Sequence, residues 1–334
     1  MAESVHIGEI AEKLSNQLFA EFFWRKEGPT NQDWPCEKSE LHDKRKTHPA
    51  DVVFWYDEPY KEVRTYVHCD LKSFAKDSVK TNSVQKAALS LSQQIECADV
   101  SEVWQERYKH DNVNYQIVGL LFVYNHDNIY DGDFKKLLWG VSPERLNLPP
   151  RSRLFILGPD DIKWLDSIRF ELLVMRDDDG ANALPRRDKC RYFYPHLARR
   201  SNGRPGIARA ANLEMLSSPW IILEYDHVAP YAKGIVIFYR RKAEGVAEFA
   251  YLLDYLRHFQ LLDDGVYIQI KVSGENSSAI SFFRKATTQY IEDVLGISRE
   301  EQLSKIIDRI SISMMNQTVS SFSSIALGMD YERS

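Results

Sequence analysis

Two aspartates and a lysine carry the chemistry that this sequence suggests. Asp51 opens a run dense in Val, Phe, Trp and Tyr (51–56), and Asp70-Leu71-Lys72 falls late in a second β-rich run, 63–74. Asp57-Glu58-Pro59-Tyr60-Lys61-Glu62 lies between them, a polar, Pro-bearing connection that predicts a hairpin. Side chains alternate along a strand, so Asp70 and Lys72 project from one face and Leu71 from the other. A hairpin partner can bring Asp51 alongside that pair. Two carboxylates offer hard oxygen ligands for Mg²⁺ or Mn²⁺, and an ammonium beside them can orient water and steady phosphate oxygens. That combination suits metal-assisted phosphodiester hydrolysis.

Two other Asp-x-Lys triplets, Asp133-Phe134-Lys135 and Asp161-Ile162-Lys163, stand where helices are expected to begin. Capping and the helix dipole explain an Asp there. Only Asp70 ends a strand that directly follows a strand headed by another Asp.

The arrangement resembles the PD-(D/E)xK phosphodiesterase superfamily, the fold of many restriction enzymes, junction resolvases and RecB-like nucleases. The resemblance covers roughly residues 5–125. Asp51 matches the first aspartate of the pattern, although an alanine separates it from Pro49, and Asp70 and Lys72 match the second acid and the lysine. It implies that Asp51, Asp70 and the Leu71 carbonyl bind the metal. It also implies that a glutamate of the first helix assists. Gly8-Glu9-Ile10-Ala11-Glu12 fits a Gly-x-x-x-Glu form and selects Glu12, with Glu9 and Glu21 as alternatives. Some branches add a glutamine after the lysine strand, for which Gln85 is the nearest residue.

The elements that must position these residues are legible in the hydrophobic pattern. Ile7, Ile10, Leu14, Leu18, Phe19 and Phe22 predict a helix over 5–26, and the polar segment 29–50 predicts an exposed loop. A helix follows over 83–98, capped by Thr81, Asn82 or Ser83. A buried strand at 115–124, a helix at 134–139, a strand at 154–157 and a helix at 160–175 complete an alternating α/β half. The second half alternates again: helix 206–216, strands 220–225 and 234–240, helix 245–261, strand 266–272 and helices 277–295 and 299–316. No internal repeat is visible. The expected fold is α/β, a restriction-endonuclease-like mixed sheet flanked by helices, with a second α/β domain. The expected divisions are a nuclease domain at 1–175, a basic linker or insertion at 176–210 and an interaction or substrate-positioning domain at 211–334.

Composition is that of an ordinary globular chain: 334 residues, 44% hydrophobic, 27% charged. A net charge of −5 excludes uniform attraction to nucleic acid but not a local basic face. Residues 186–209 hold eight basic side chains against the single acid Asp188. Arg186, Arg187, Arg191, Arg199 and Arg200 there, interleaved with Tyr192, Phe193, Tyr194 and His196, suggest phosphate contacts and base stacking. His48 and His68 flank the acids, and a hydrogen-bonded structural role is expected for both. Cys36, Cys69, Cys97 and Cys190 lack the closely spaced pairs of a zinc motif and read as buried thiols.

No apolar run is long enough to span a bilayer, and no leader pattern follows Met1, so the expected location is the cytoplasm. No nucleotide-binding loop appears. Together with the resemblance, these features imply a Mg²⁺- or Mn²⁺-dependent nuclease acting on double-stranded DNA. By analogy it would be an anti-phage defence effector working with a co-encoded partner or as a homo-oligomer. A structure-specific repair or recombination nuclease and a non-catalytic nucleic-acid-binding module are the alternatives.

Overall fold

The structure is a computed structural model that describes residues 15–146, 148, 152–180, 182–195, 208–228, 231–273, 276–294 and 301–315. The chain divides into two compact units, one ending at Lys163 and the other beginning at Trp164. That boundary falls within the helix Pro159–Asp177.

In the first unit, residues 15–21 are helical (α1), and Leu18, Phe19 and Phe22 are fully buried. The helix stops sooner than its periodicity suggests. Phe23 turns to a φ of 63°, Trp24 stacks on Phe19 at 4.4 Å, and Arg25–Glu27 leaves as an edge strand, β1. The segment expected as a loop instead holds a two-stranded ribbon of β2 (Gln32–Pro35) and β3 (Thr47–Ala50), fastened by the buried Trp34. The hairpin follows as expected, with β4 at Val52–Asp57 and β5 at Arg64–Phe74.

Helices α2 (Thr81–Ala98) and α3 (Glu102–Tyr108) then lead to β6 (Tyr115–Asn125), α4 (Phe134–Leu138) and β7 (Leu154–Leu157). The N-cap of α2 is Lys80, without a side-chain bond, rather than one of the three hydroxyl or amide residues after it. The sheet order is β1-β4-β5-β6-β7, with the first three strands antiparallel and the last three parallel. Val84, Leu91 and Ile95 of α2 pack on Tyr66, Leu121 and Val123 of the sheet. At Gly119 a Cβ would sit 2.3 Å from Ile95 Cδ1, so helix α2 rests on β6 only because that position has no side chain.

Helix α5 (Pro159–Asp177) opens where Asp161 accepts a bond from Gly158 N at 2.9 Å, and Asp133 accepts from Lys136 N at the start of α4. Both triplets set aside in the sequence are helix starts. Beyond α5, Cys190–Tyr192 forms β8, so the stretch expected as a linker contributes an edge strand of the second sheet. Next come α6 (Leu213–Leu216), shorter than expected, β9 (Trp220–Val228), β10 (Tyr231–Tyr239), α7 (Val246–His258) and β11 (Val266–Val272). The chain ends, among the described residues, with α8 (Ala279–Val294), α9 (Glu301–Asp308) and an unexpected strand, β12 (Ser311–Met314). Ile235 and Ile237 of β10, Ile268 and Ile270 of β11, and Phe249, Leu252 and Leu256 of α7 form the core.

The second sheet runs β8-β9-β10-β11-β12, again antiparallel for its first three strands and parallel for its last three. In both units a helix precedes an edge strand, a hairpin follows, and helical crossovers add two parallel strands. Both units are α/β with a mixed sheet flanked by helices, the first as expected of a restriction-endonuclease-like fold and the second as a further α/β domain. A repeat invisible in the residues is plain in the topology.

Candidate active site

Strand β4 begins at Val52, which faces Cys69 of β5 in the antiparallel register. Asp51 is the bend residue just before β4, one position beyond that last pair. Backbone pairing ends there, and the Asp51 side chain takes over. Its Oδ2 accepts a hydrogen bond of 2.7 Å from Leu71 N. A residue's N–H and C=O point to the same side of an antiparallel strand, so the Leu71 carbonyl lies toward Asp51 as well. The Leu71 N–H anchor did not figure in the sequence reading, because only the end of β4 creates it.

Asp70 lies on the sheet face covered by α2 and α3, two residues from His68 along β5. Its side chain is 3% exposed, and Lys72 Nζ lies 2.5 Å from Oδ1. No hydrogen bond of acceptable geometry reaches either carboxylate oxygen. The ammonium approaches at ion-pair distance but off the angle a hydrogen bond needs. Lys72 is the cation that offsets the burial of this carboxylate on Oδ1, and Oδ2 remains available as a ligand oxygen. Asp51, bound at the Leu71 N–H, and Asp70, one residue before Leu71, offer carboxylate oxygens of the hard kind that Mg²⁺ or Mn²⁺ takes. Lys72 is about one-third exposed, which leaves its ammonium open to substrate on the solvent side.

The surrounding residues sort cleanly. His68 is buried; its Nδ1 accepts from Trp104 Nε1 at 3.1 Å and its Nε2 lies 2.9 Å from Gln94 Oε1. Both nitrogens are engaged, and burial pushes the ring's pKa down. The hydrogen-bonded structural role expected for it is the one it has. Cys69 points to the other face and is fully buried, its thiol pushed well up by burial and then by Asp51 and Asp70. Glu12 and Glu9 lie outside the described residues; Glu21 ends α1.

Gln85, the glutamine that the resemblance offered, is bonded to the backbone of Ser142. Its Oε1 accepts from Ser142 N at 2.6 Å and its Nε2 donates to Ser142 O at 3.5 Å, which clamps the turn after α4. The basic segment is also corrected. Tyr192, Phe193 and Tyr194 are buried, Phe193 within the second core and Tyr194 donating to Ala210 O, so none can stack on a base. Arg191 is tied to Glu224 at 2.8 Å. Arg186 (92% exposed) and Arg187 remain on the surface, while Arg199, Arg200 and His196 lie outside the described residues.

Residues 1–161 match the family model described as the GAPS4 protein PD-(D/E)XK nuclease domain. The first unit is a PD-(D/E)XK nuclease domain. No curated protein and no solved structure matches the chain. Asp51, Asp70 and Lys72 all lie within the matched residues. In the second unit the same register step beyond Trp220 and Tyr239 brings Pro219 opposite Arg240, whose N donates to Pro219 O at 2.9 Å. No acid stands there. Among the described residues, no helix is long and apolar enough to cross a membrane.

Proposed function

We propose that the nuclease domain hydrolyses phosphodiester bonds of double-stranded DNA with Mg²⁺ or Mn²⁺, as the effector of an anti-phage defence system. The buried Asp70 carboxylate, ion-paired to Lys72 and one residue before the Leu71 N–H that holds Asp51, carries this reading. Asp51, held by Leu71 N–H, Asp70 and the Leu71 carbonyl would supply the oxygen ligands. The ion, when bound, supplies Lewis-acid activation of water and neutralises charge on the phosphate. Lys72 orients the attacking water and steadies the equatorial phosphate oxygens, and Glu12 assists. The exposed Arg186 and Arg187, with Arg199 and Arg200, contact the DNA backbone. The second unit repeats the topology without the acid pair, which favours a part in positioning substrate or docking a co-encoded partner or second copy. The match to a domain of GAPS4 proteins and the fusion of a small nuclease to a second α/β module support the defence role, exercised in the cytoplasm.

The test is plasmid DNA incubated with Mg²⁺ and the full chain, alone and with its co-encoded partner, beside Asp70→Ala and Lys72→Ala. Cleavage by the wild type and not by either variant is expected, and chelation should stop it. If the wild type and both variants leave every DNA and RNA substrate equally intact in both settings, the reading fails.

A further inference from the structure

Four residues far apart in the sequence converge beside the ribbon. Cys36 follows β2, His42 sits in the ribbon's turn, His48 lies in β3, and Cys97 is near the end of α2. One potential ligand atom from each lies within 4.8 Å of all the others. The Cys36 and Cys97 sulfurs are 3.8 Å apart, and His42 Nδ1 is 3.4 Å from the first and 3.5 Å from the second. A tetrahedral zinc ion with Zn–S of about 2.3 Å and Zn–N of about 2.05 Å separates two sulfurs by about 3.8 Å and sulfur from nitrogen by about 3.5 Å. A disulfide would need its sulfurs about 2.05 Å apart. The spacing is that of shared coordination.

The surroundings agree. His48 is fully buried, and neither of its ring nitrogens has a hydrogen bond, an arrangement that a metal bond would relieve. It therefore differs from His68 and from the hydrogen-bonded role expected for it. His42 turns its Nδ1 to the cluster and its Nε2 to Glu96 Oε2 at 3.1 Å, and Lys38 holds the other oxygen of that carboxylate at 2.8 Å. A carboxylate behind a ligating histidine fixes its tautomer and its ring orientation. Two thiolates balance the charge of a divalent ion. Their softness selects zinc over the hard ions that suit Asp51 and Asp70.

We infer that Cys36, His42, His48 and Cys97 bind a structural Zn²⁺ that pins the β2–β3 ribbon to the end of α2. All four positions are protein ligands, so the site is closed and takes no part in hydrolysis. The binding proposal stands without the nuclease reading. Its consequence rests on that reading: His48 is three residues before Asp51, so zinc would set the path by which Asp51 enters the hairpin.

Metal analysis and native mass spectrometry of the purified full chain test it, together with cobalt substitution. About one zinc per chain is expected in the wild type and in Asp70→Ala, and a fraction of that in Cys36→Ser and His42→Ala. Exchange with Co²⁺ should give thiolate-to-cobalt charge-transfer absorption and tetrahedral visible bands, and zinc removal should lower Tm. Wild-type chain that carries no zinc after metal-replete purification and gives no thiolate band with Co²⁺ overturns the proposal, whether or not any variant folds. Zinc retained in full by folded Cys36→Ser and His42→Ala overturns it as well. Asp70→Ala keeps the two readings apart: loss of cleavage with zinc intact concerns only the hairpin.

Discussion

The two sheets pose the same architectural problem and resolve their buried acids in opposite ways. In the first, Asp70 has one ammonium at ion-pair distance and no hydrogen-bond donor. In the second, Glu224 in the middle of β9 is 7% exposed, held by Arg191 Nε at 2.8 Å and contacted on its other oxygen by Lys233. A carboxylate enclosed by two cations is finished as structure. One with a single ammonium on one oxygen keeps its other oxygen open to a further cation. The shared topology therefore says little about chemistry, and the difference in satisfaction says a great deal.

Breaking the first acid should have the largest effect. Asp70→Asn or Lys72→Ala should lower the rate of DNA cleavage by roughly 10²–10³-fold or more, read from initial rates at saturating Mg²⁺. Stability should then separate the two acids in size. In chelator, Asp70→Asn strands only the partly exposed Lys72 and should cost about 1 kcal/mol or less by urea unfolding. Glu224→Gln should lose about 1–3 kcal/mol by stranding two partly exposed cations, while cleavage at saturating DNA is preserved. Equal losses for the two substitutions would remove the contrast.

Smaller effects sharpen the boundary between site and scaffold. Gln85→Ala should cost about 1–2 kcal/mol through its two bonds to Ser142 and leave DNA affinity unchanged, as measured by urea unfolding and a binding titration. Arg186→Glu should weaken DNA binding only a few-fold and flatten the salt dependence of log Kd by about one phosphate contact.

Local pattern carried the hairpin. Alternation put Asp70 and Lys72 on one face, and a strand headed by Asp51 supplied the opposing acid; neither depends on the rest of the fold. The same logic correctly set Asp133 and Asp161 aside as helix starts. It misjudged residues whose surroundings come from distant chain. Tyr192, Phe193 and Tyr194 look like a stacking surface beside arginines, yet they line a core built by later elements. Arg25–Glu27 continues a helical period but pairs with β4.

The sequence by itself determined which stretches could alternate, which could wind, and where an acid and a lysine would share a strand, because these follow from spacing along one segment. Tertiary structure alone decided that Asp70 is buried with Lys72 as its one cation, that the second half repeats the first, and that Cys36 and Cys97 meet across 61 positions. The reason is physical. Burial, donor supply and metal geometry are properties of the space that several segments enclose together, and no single segment encodes that space.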